Sequence, residues 1–252
     1  MPNESESALD IATRDGTCRC FKFTPKGKGP WRGVIVYMDA FAIRPALLEL
    51  GQRIADLEFF VLVPDLFYRS GPYAAMDPHA IFGNADAFTQ LKEKFIVRAT
   101  VANVMSDTQA FLDYLAGQPL VRPEPVGTTG YCMGGRFSLA AAGTFPARIA
   151  ASASFHGGNL ASDDPASPHL LAPKMKAYVF VAGATGDNSF PDDMKNRLEH
   201  ALTEAHVAHT VETWPAKHGW TFHDTPVYDA TCFERHLQVL KRLFADTLNK
   251  PR

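Results

Sequence analysis

The sequence predicts an α/β fold: a mostly parallel central sheet with helices on both faces, in a single domain over residues 1–252. Three observations predict it. Strand-like and helix-like runs alternate along the chain, as βαβ units require. Residues 33–38 (Gly-Val-Ile-Val-Tyr-Met) form a continuous apolar run, as a strand buried on both faces does. Gly130-Tyr131-Cys132-Met133-Gly134-Gly135-Arg136 joins a short β-branched segment to a small, apolar, helix-like one. Such a Gly-x-nucleophile-x-Gly junction marks a sharp strand-to-helix turn at the top of a parallel sheet.

The elements follow in order. Residues 17–23 are predicted as an edge strand, and residues 33–38 as a buried one. A helix is expected over about 45–57, then a strand over 59–63 closed by Pro64-Asp65. Residues 66–98 break the rhythm, with Tyr68, Phe82, Phe88 and Phe95 among Gly71-Pro72, Pro78 and Gly83. A stretch this long and aromatic is expected as an insertion of irregular and short helical structure over the carboxyl edge, forming part of a pocket wall. The alternative is a peripheral helical insertion. Val101, Val104, Met105, Thr108, Leu112 and Leu115 then recur at helical spacing. After the cysteine turn and its helix come strands at 149–155 and 177–182, a helix at 192–206 and a strand at 209–214. A last helix is expected over about 226–248, with Thr225 as its cap and Pro226 in its first turn.

Composition excludes several classes. The chain is 46% hydrophobic and 21% charged, ordinary for a globular protein. Its 25 basic and 27 acidic residues are interspersed, so no basic patch suggests nucleic acid. No apolar run is long enough to span a bilayer, and residues 1–10 are polar and acidic, unlike a secretory leader. Cys18, Cys20, Cys132 and Cys232 show no metal or Cys-x-x-Cys spacing. A cytoplasmic chain with free thiols and no cofactor or metal is the expectation.

A nucleophilic Cys132 needs a base and an acid that orients it. Behind a Gly-x-nucleophile-x-Gly turn, acid and then histidine follow in chain order, each beyond the carboxyl end of a strand. Asp187 fits the acid, in the loop after the strand at 177–182; the alternative for it is a turn-forming carboxylate. His218 fits the base, just beyond the strand ending at Trp214. Among nine histidines its competitor is His223, five residues on. The blander reading of the motif is a glycine junction around a buried, inert cysteine.

On these residues the chain resembles the dienelactone hydrolase (carboxymethylenebutenolidase-like) family of α/β-hydrolases, from about Gly33 to Phe244. The most specific part is Gly130-Tyr131-Cys132-Met133-Gly134-Gly135, supported by His218-Gly219-Trp220. The resemblance implies an α/β-hydrolase fold and a Cys132–Asp187–His218 triad acting on a small-molecule ester or lactone. The amides of Ala40 and Met133 would hold the oxyanion. It also implies an acid after the first long strand that helps activate the thiol; Asp39 holds that position, one methylene shorter than the family's Glu, the alternative for it being a loop carboxylate that hydrogen-bonds nearby amides. The family's substrate-holding arginine four residues after the histidine is replaced by Phe222. The expected substrate is therefore a neutral ester or lactone. Arg98, Arg69 or Arg136 could substitute for the lost arginine, but for Arg136 pairing with a carboxylate is favoured over binding a substrate anion. Trp220 and Phe222 are candidate substrate contacts. His156-Gly157-Gly158 is expected as a close-packed pocket wall. Two other classes compete: a thiol redox or stress protein whose Cys132 is oxidised, and a ligand-binding member of the fold without turnover.

Overall fold

A computed structural model describes residues 6–249. Its centre is one eight-stranded sheet in the order β1-β2-β4-β3-β5-β6-β7-β8. The strands are β1 Glu6–Thr13, β2 Gly16–Phe23, β3 Trp31–Tyr37, β4 Phe59–Pro64, β5 Val121–Tyr131, β6 Ile149–Phe155, β7 Tyr178–Ala184 and β8 His209–Trp214. β1 and β2 run antiparallel at one side, and β4, β3 and β5 to β8 run parallel. Every residue of β4 and β6 is buried, and so are residues 33–37 of β3, the apolar run read as a buried strand.

The helices are α1 Pro45–Ala55, α2 Pro78–Ile81, α3 Ala85–Lys94, α4 Val101–Ala116, α5 Met133–Thr144, α6 Asp192–Glu204 and α7 Ala230–Leu248. Successive residues of β5 show that they lie on both faces. A Cβ on Gly127 would meet Phe244 and Leu248 of α7, whereas Thr128 hydrogen-bonds Ser138 of α5 at 2.8 Å. Tyr37 of β3 hydrogen-bonds Thr108 of α4 at 2.8 Å.

Two expectations are corrected. Residues 17–23 are not an edge strand, because β1 pairs outside them from Glu6↔Phe23 to Thr13↔Gly16. The two-residue loop Arg14-Asp15 closes this hairpin, and Gly16 supplies a φ of 141°. The last helix begins at Ala230, not near 226. Asp229 caps it by accepting from the Cys232 amide at 2.8 Å, while the Thr225 hydroxyl donates to the carbonyls of Phe222 (2.9 Å) and Gly219 (3.1 Å). Thr225 therefore closes a loop rather than opening a helix. The 66–98 stretch contains α2, α3 and two short 3-10 turns. Asp77 caps α2 through the His79 amide and Asn84 caps α3 through the Ala87 amide.

Register places the site. Tyr37 lies opposite Gly130, Tyr131 opposite Phe155, Phe155 opposite Ala182 and Ala184 opposite Trp214. The residues that follow β3, β5, β6, β7 and β8 consequently emerge at one edge of the sheet, where open parallel sheets gather ligands.

Candidate active site

Cys132 stands between β5 and α5 with φ 51° and ψ −114°. A non-glycine residue held in such a region stores about 1–3 kcal/mol of strain. Its neighbours hold it there: its amide donates to the Phe155 carbonyl at 3.2 Å, and its carbonyl accepts from Gly135 (3.1 Å) and Gly158 (3.3 Å). Gly130 and Gly134 clear the turn, since a Cβ on Gly130 would strike the Gly134 carbonyl and one on Gly134 the Tyr37 carbonyl. The Cys132 side chain reaches a cavity of about 970 Å³. Met133 opens α5 there, and its amide has no partner within the helix. Ala40, beyond β3, lines the same cavity. Neither amide donates to a protein acceptor among the described residues.

Asp187 and His218 also line this cavity. His218 Nδ1 lies 2.7 Å from Asp187 Oδ2, which leaves the other ring nitrogen for the cavity that Cys132 shares. Burial opposes the imidazolium, yet the charge on Cys132 and the Asp187 hydrogen bond outweigh it and push His218 up to about 10. Burial likewise works against the Asp187 carboxylate, but His218 and both donors of Ser189 bring it below its ordinary value.

Ser189 was not foreseen. Its amide and hydroxyl donate to Asp187 Oδ1 at 2.8 and 2.6 Å, and the hydroxyl stands 3.2 Å from His218 Nδ1. The available signal was the Asp187-Asn188-Ser189 spacing, an Asx turn in which the carboxylate accepts from the amide two residues on. His156, at φ 40°, sets its ring edge-on to His218 with centroids 5.2 Å apart. Burial pushes His156 well below its ordinary value, so it is neutral, and its Nε2 meets Thr221 at 2.9 Å.

Asp39 is a loop carboxylate that bonds a nearby amide, the alternative reading of it, and it also pairs with Arg44. Its two oxygens meet Arg44 at 2.7 and 2.9 Å, and Oδ1 also accepts from the Phe41 amide at 3.0 Å. Arg44 further binds Asp224 through Nε at 2.7 Å. Burial, the largest influence, lifts the Asp39 carboxyl, with Arg44 and the Phe41 amide pulling against it. Burial also opposes the Arg44 charge, but the two aspartates raise its pKa overall. The bidentate fork-to-carboxylate geometry is that of an ionised pair.

Arg136, one turn into α5, lines the cavity with no carboxylate within salt-bridge distance among the described residues. Its only protein acceptor there is the Ala99 carbonyl at 3.3 Å, its Nε is buried without a partner, and burial lowers its pKa. Lys92 and Lys217 also line the cavity, and Ile81, Phe82, Phe88 and Ile96 make the 66–98 stretch one of its walls. Trp220, Phe222 and Arg98 do not line it. Trp220 stacks on Trp214 in the core at 5.2 Å, Phe222 lies beneath Arg44 at 4.5 Å, and Arg98 turns to the Arg69 carbonyl at 3.0 Å. Arg69 is paired with Asp107 and Asp15. His223 pairs with Glu49 at 3.0 Å, outside the cavity. No group of described residues could hold a metal ion, and no helix among them is long and apolar enough to cross a membrane.

Comparisons with known proteins agree with this architecture. A family model described as the dienelactone hydrolase family matches residues 18–248. A Synechocystis protein assigned as a carboxymethylenebutenolidase is 26% identical over 230 residues, 89% of each chain. The carboxymethylenebutenolidase of a Pseudomonas species is 25% identical over 222 residues, 86% of this chain and 87% of its own. A crystal structure from Klebsiella pneumoniae, assigned as a dienelactone hydrolase, superposes with a TM-score of 0.83 at 20% identity, covering 95% of this chain and 98% of that one.

Proposed function

Because this chain belongs to the dienelactone hydrolase family of α/β-hydrolases, enzymes acting on lactone and ester bonds, we propose that it hydrolyses its substrate through an acyl-enzyme on Cys132. The observation that carries this reading is the His218 ring, held by Asp187 at 2.7 Å on one nitrogen and lining the same cavity as Cys132. The Cys132 thiolate, its proton already on His218, attacks the carbonyl carbon, forming the C–S bond, and the carbonyl π pair moves to oxygen between the Ala40 and Met133 amides. Collapse breaks the C–O bond, and the departing alkoxide takes its proton from the His218 imidazolium. Water then attacks the thioester, His218 accepts the water's proton, and the thiolate leaves. Asp187 fixes the tautomer throughout.

Arg136 supports an anionic group on the substrate. A partly buried guanidinium without a counter-ion is costly, and a substrate carboxylate in the cavity supplies one. A redox role has less support, because no second cysteine lines the cavity to resolve an oxidised Cys132.

The test is hydrolysis of a short aryl ester and a carboxylate-bearing dienelactone by wild type, Cys132→Ala and Arg136→Met. Wild type is expected to turn over at least one, and Cys132→Ala neither. Arg136→Met is expected to lose about 10- to 100-fold in kcat/KM on the lactone and little on the neutral ester, the range for one hydrogen bond to a charged group. No turnover, together with no thioester on Cys132 after an activated ester, sinks the acyl-transfer reading.

A further inference from the structure

Arg44 lies where two walls of the site meet. It precedes α1, its side chain is 1% exposed, and it contacts both loops that carry the proposed machinery. Toward the loop after β3 it grips both oxygens of Asp39, and Asp39 in turn fixes the Phe41 amide, so the turn containing Ala40 is tied at both ends. Toward the loop after β8 it binds Asp224 through Nε at 2.7 Å and through a terminal nitrogen at 3.2 Å. Thr225, next to Asp224, bonds the Gly219 carbonyl at 3.1 Å, so this anchor is passed directly to the residue beside His218. Phe222 and Phe41 lie against the guanidinium at 4.5 and 5.5 Å.

We propose that Arg44 is a positioning residue: its guanidinium sets the spacing between the loop carrying the Ala40 amide and the loop carrying His218. The inference rests on the acyl-transfer reading above. Acyl transfer needs the oxyanion donor and the base on one carbonyl at once, and the two come from loops on opposite sides of Cys132. A guanidinium presents donors in a rigid plane and can satisfy two carboxylates in fixed directions; an ammonium cannot. The brace acts only where both walls must meet. It does not touch the Asp187–His218–Cys132 contacts.

This separates two reactions of the same sulfur. Acylation by an ester needs the oxyanion loop; alkylation by iodoacetamide needs only the thiol and its histidine. The variants are Arg44→Lys, Asp224→Asn and, as a control, Glu49→Gln, which removes the exposed pair with His223 joining α1 to the same loop. Asp224→Asn and Arg44→Lys are expected to lower kcat for an aryl ester about 10- to 100-fold with KM little changed, the effect of misplacing reacting groups by about 1 Å. Their alkylation rates and its pH midpoint should match wild type, and Glu49→Gln should match wild type in both reactions. Acylation at the wild-type rate in both variants, or acylation and alkylation falling together, overturns the brace. Wild type that never acylates overturns the acyl-transfer reading and the brace with it. Asp224 is 26% exposed and Asp224→Asn leaves the Asp39 pair intact, so that variant decides the matter if Arg44→Lys does not fold.

Discussion

Two acid–cation pairs stand at the same sheet edge as Cys132, each with its carboxylate lining the cavity, and they are built for opposite purposes. Asp187–His218 joins one carboxylate oxygen to one ring nitrogen, and the histidine side chain is 27% exposed. Asp39–Arg44 is bidentate, with side chains 3% and 1% exposed. Histidine can give up its proton within the working range of pH, and arginine cannot. The first pair can therefore move a proton while keeping its geometry. The second can only keep its geometry. The difference teaches that an ion pair in a site need not be part of the chemistry: what decides is whether its cation titrates and whether it faces the reacting atoms.

The largest expected effect comes from breaking the titrating pair without emptying its space. Asp187→Asn should lower kcat by about 10⁴-fold with little loss of folding, because the wrong tautomer of His218 is then favoured. The pair also contributes to stability in a bounded pH window. Asp187 is lowered on folding, so its contribution is present above an ordinary Asp value of about 4 and fades as pH falls through the lower folded value. His218 is raised to about 10, so its contribution is complete below about 6.5 and is lost as pH rises toward 10. Urea titrations across pH should show both limbs in wild type. In Cys132→Ala the alkaline limb should flatten, because the charge on Cys132 is the main influence raising the ring. An unchanged alkaline limb would separate His218 from Cys132.

The geometric pair should respond in stability. Asp39→Ala leaves Arg44 buried with Asp224 as its remaining carboxylate, and removing one partner of a buried pair costs about 3–5 kcal/mol. Chemical denaturation of Asp39→Ala and Asp187→Asn side by side tests the comparison itself. Equal losses of stability in the two variants would erase the distinction between them.

How much of this was legible depended on distance along the chain. The glycine-flanked Cys132 turn, the alternating strands and the acid-then-histidine order are local signals, and each put its residue at the expected sheet edge. The wall formed by residues 66–98 was readable from its aromatic content. Arg44 was not, because one of its carboxylates comes from 180 residues away and only the completed sheet brings them together. Asp39 lines the cavity, and its partner Arg44 is only five residues on, but nothing in the short loop between them marks the two as a pair. β1 was missed because an edge strand is half exposed, and its polar sequence carries no apolar run. Phe222 and Trp220 were expected at the substrate because they follow His218 closely. Burial in the aromatic core claimed them instead.

Ser189 gives the smallest effect and the finest test of the comparison, since its hydroxyl bonds only the pair that titrates. Its hydroxyl donates to Asp187 Oδ1 at 2.6 Å, and its backbone amide donates to the same oxygen at 2.8 Å. Ser189→Ala removes the first bond and keeps the second, so the Asp187 carboxylate loses only part of what stabilises its charge. A weaker hold on the charged form raises the Asp187 pKa. The acid limb of the kcat/KM profile should therefore move to higher pH, with a loss of about 3- to 10-fold at the plateau, the worth of one net hydrogen bond. The same substitution should leave Arg44, Asp39 and Asp224 undisturbed, so the acylation defect of Asp224→Asn should multiply with that of Ser189→Ala rather than merge with it. A profile identical to wild type would mean that the serine only shapes the 187–189 turn. A double variant no worse than the worse single one would mean that the two pairs are coupled and that the division between moving a proton and holding a shape is false.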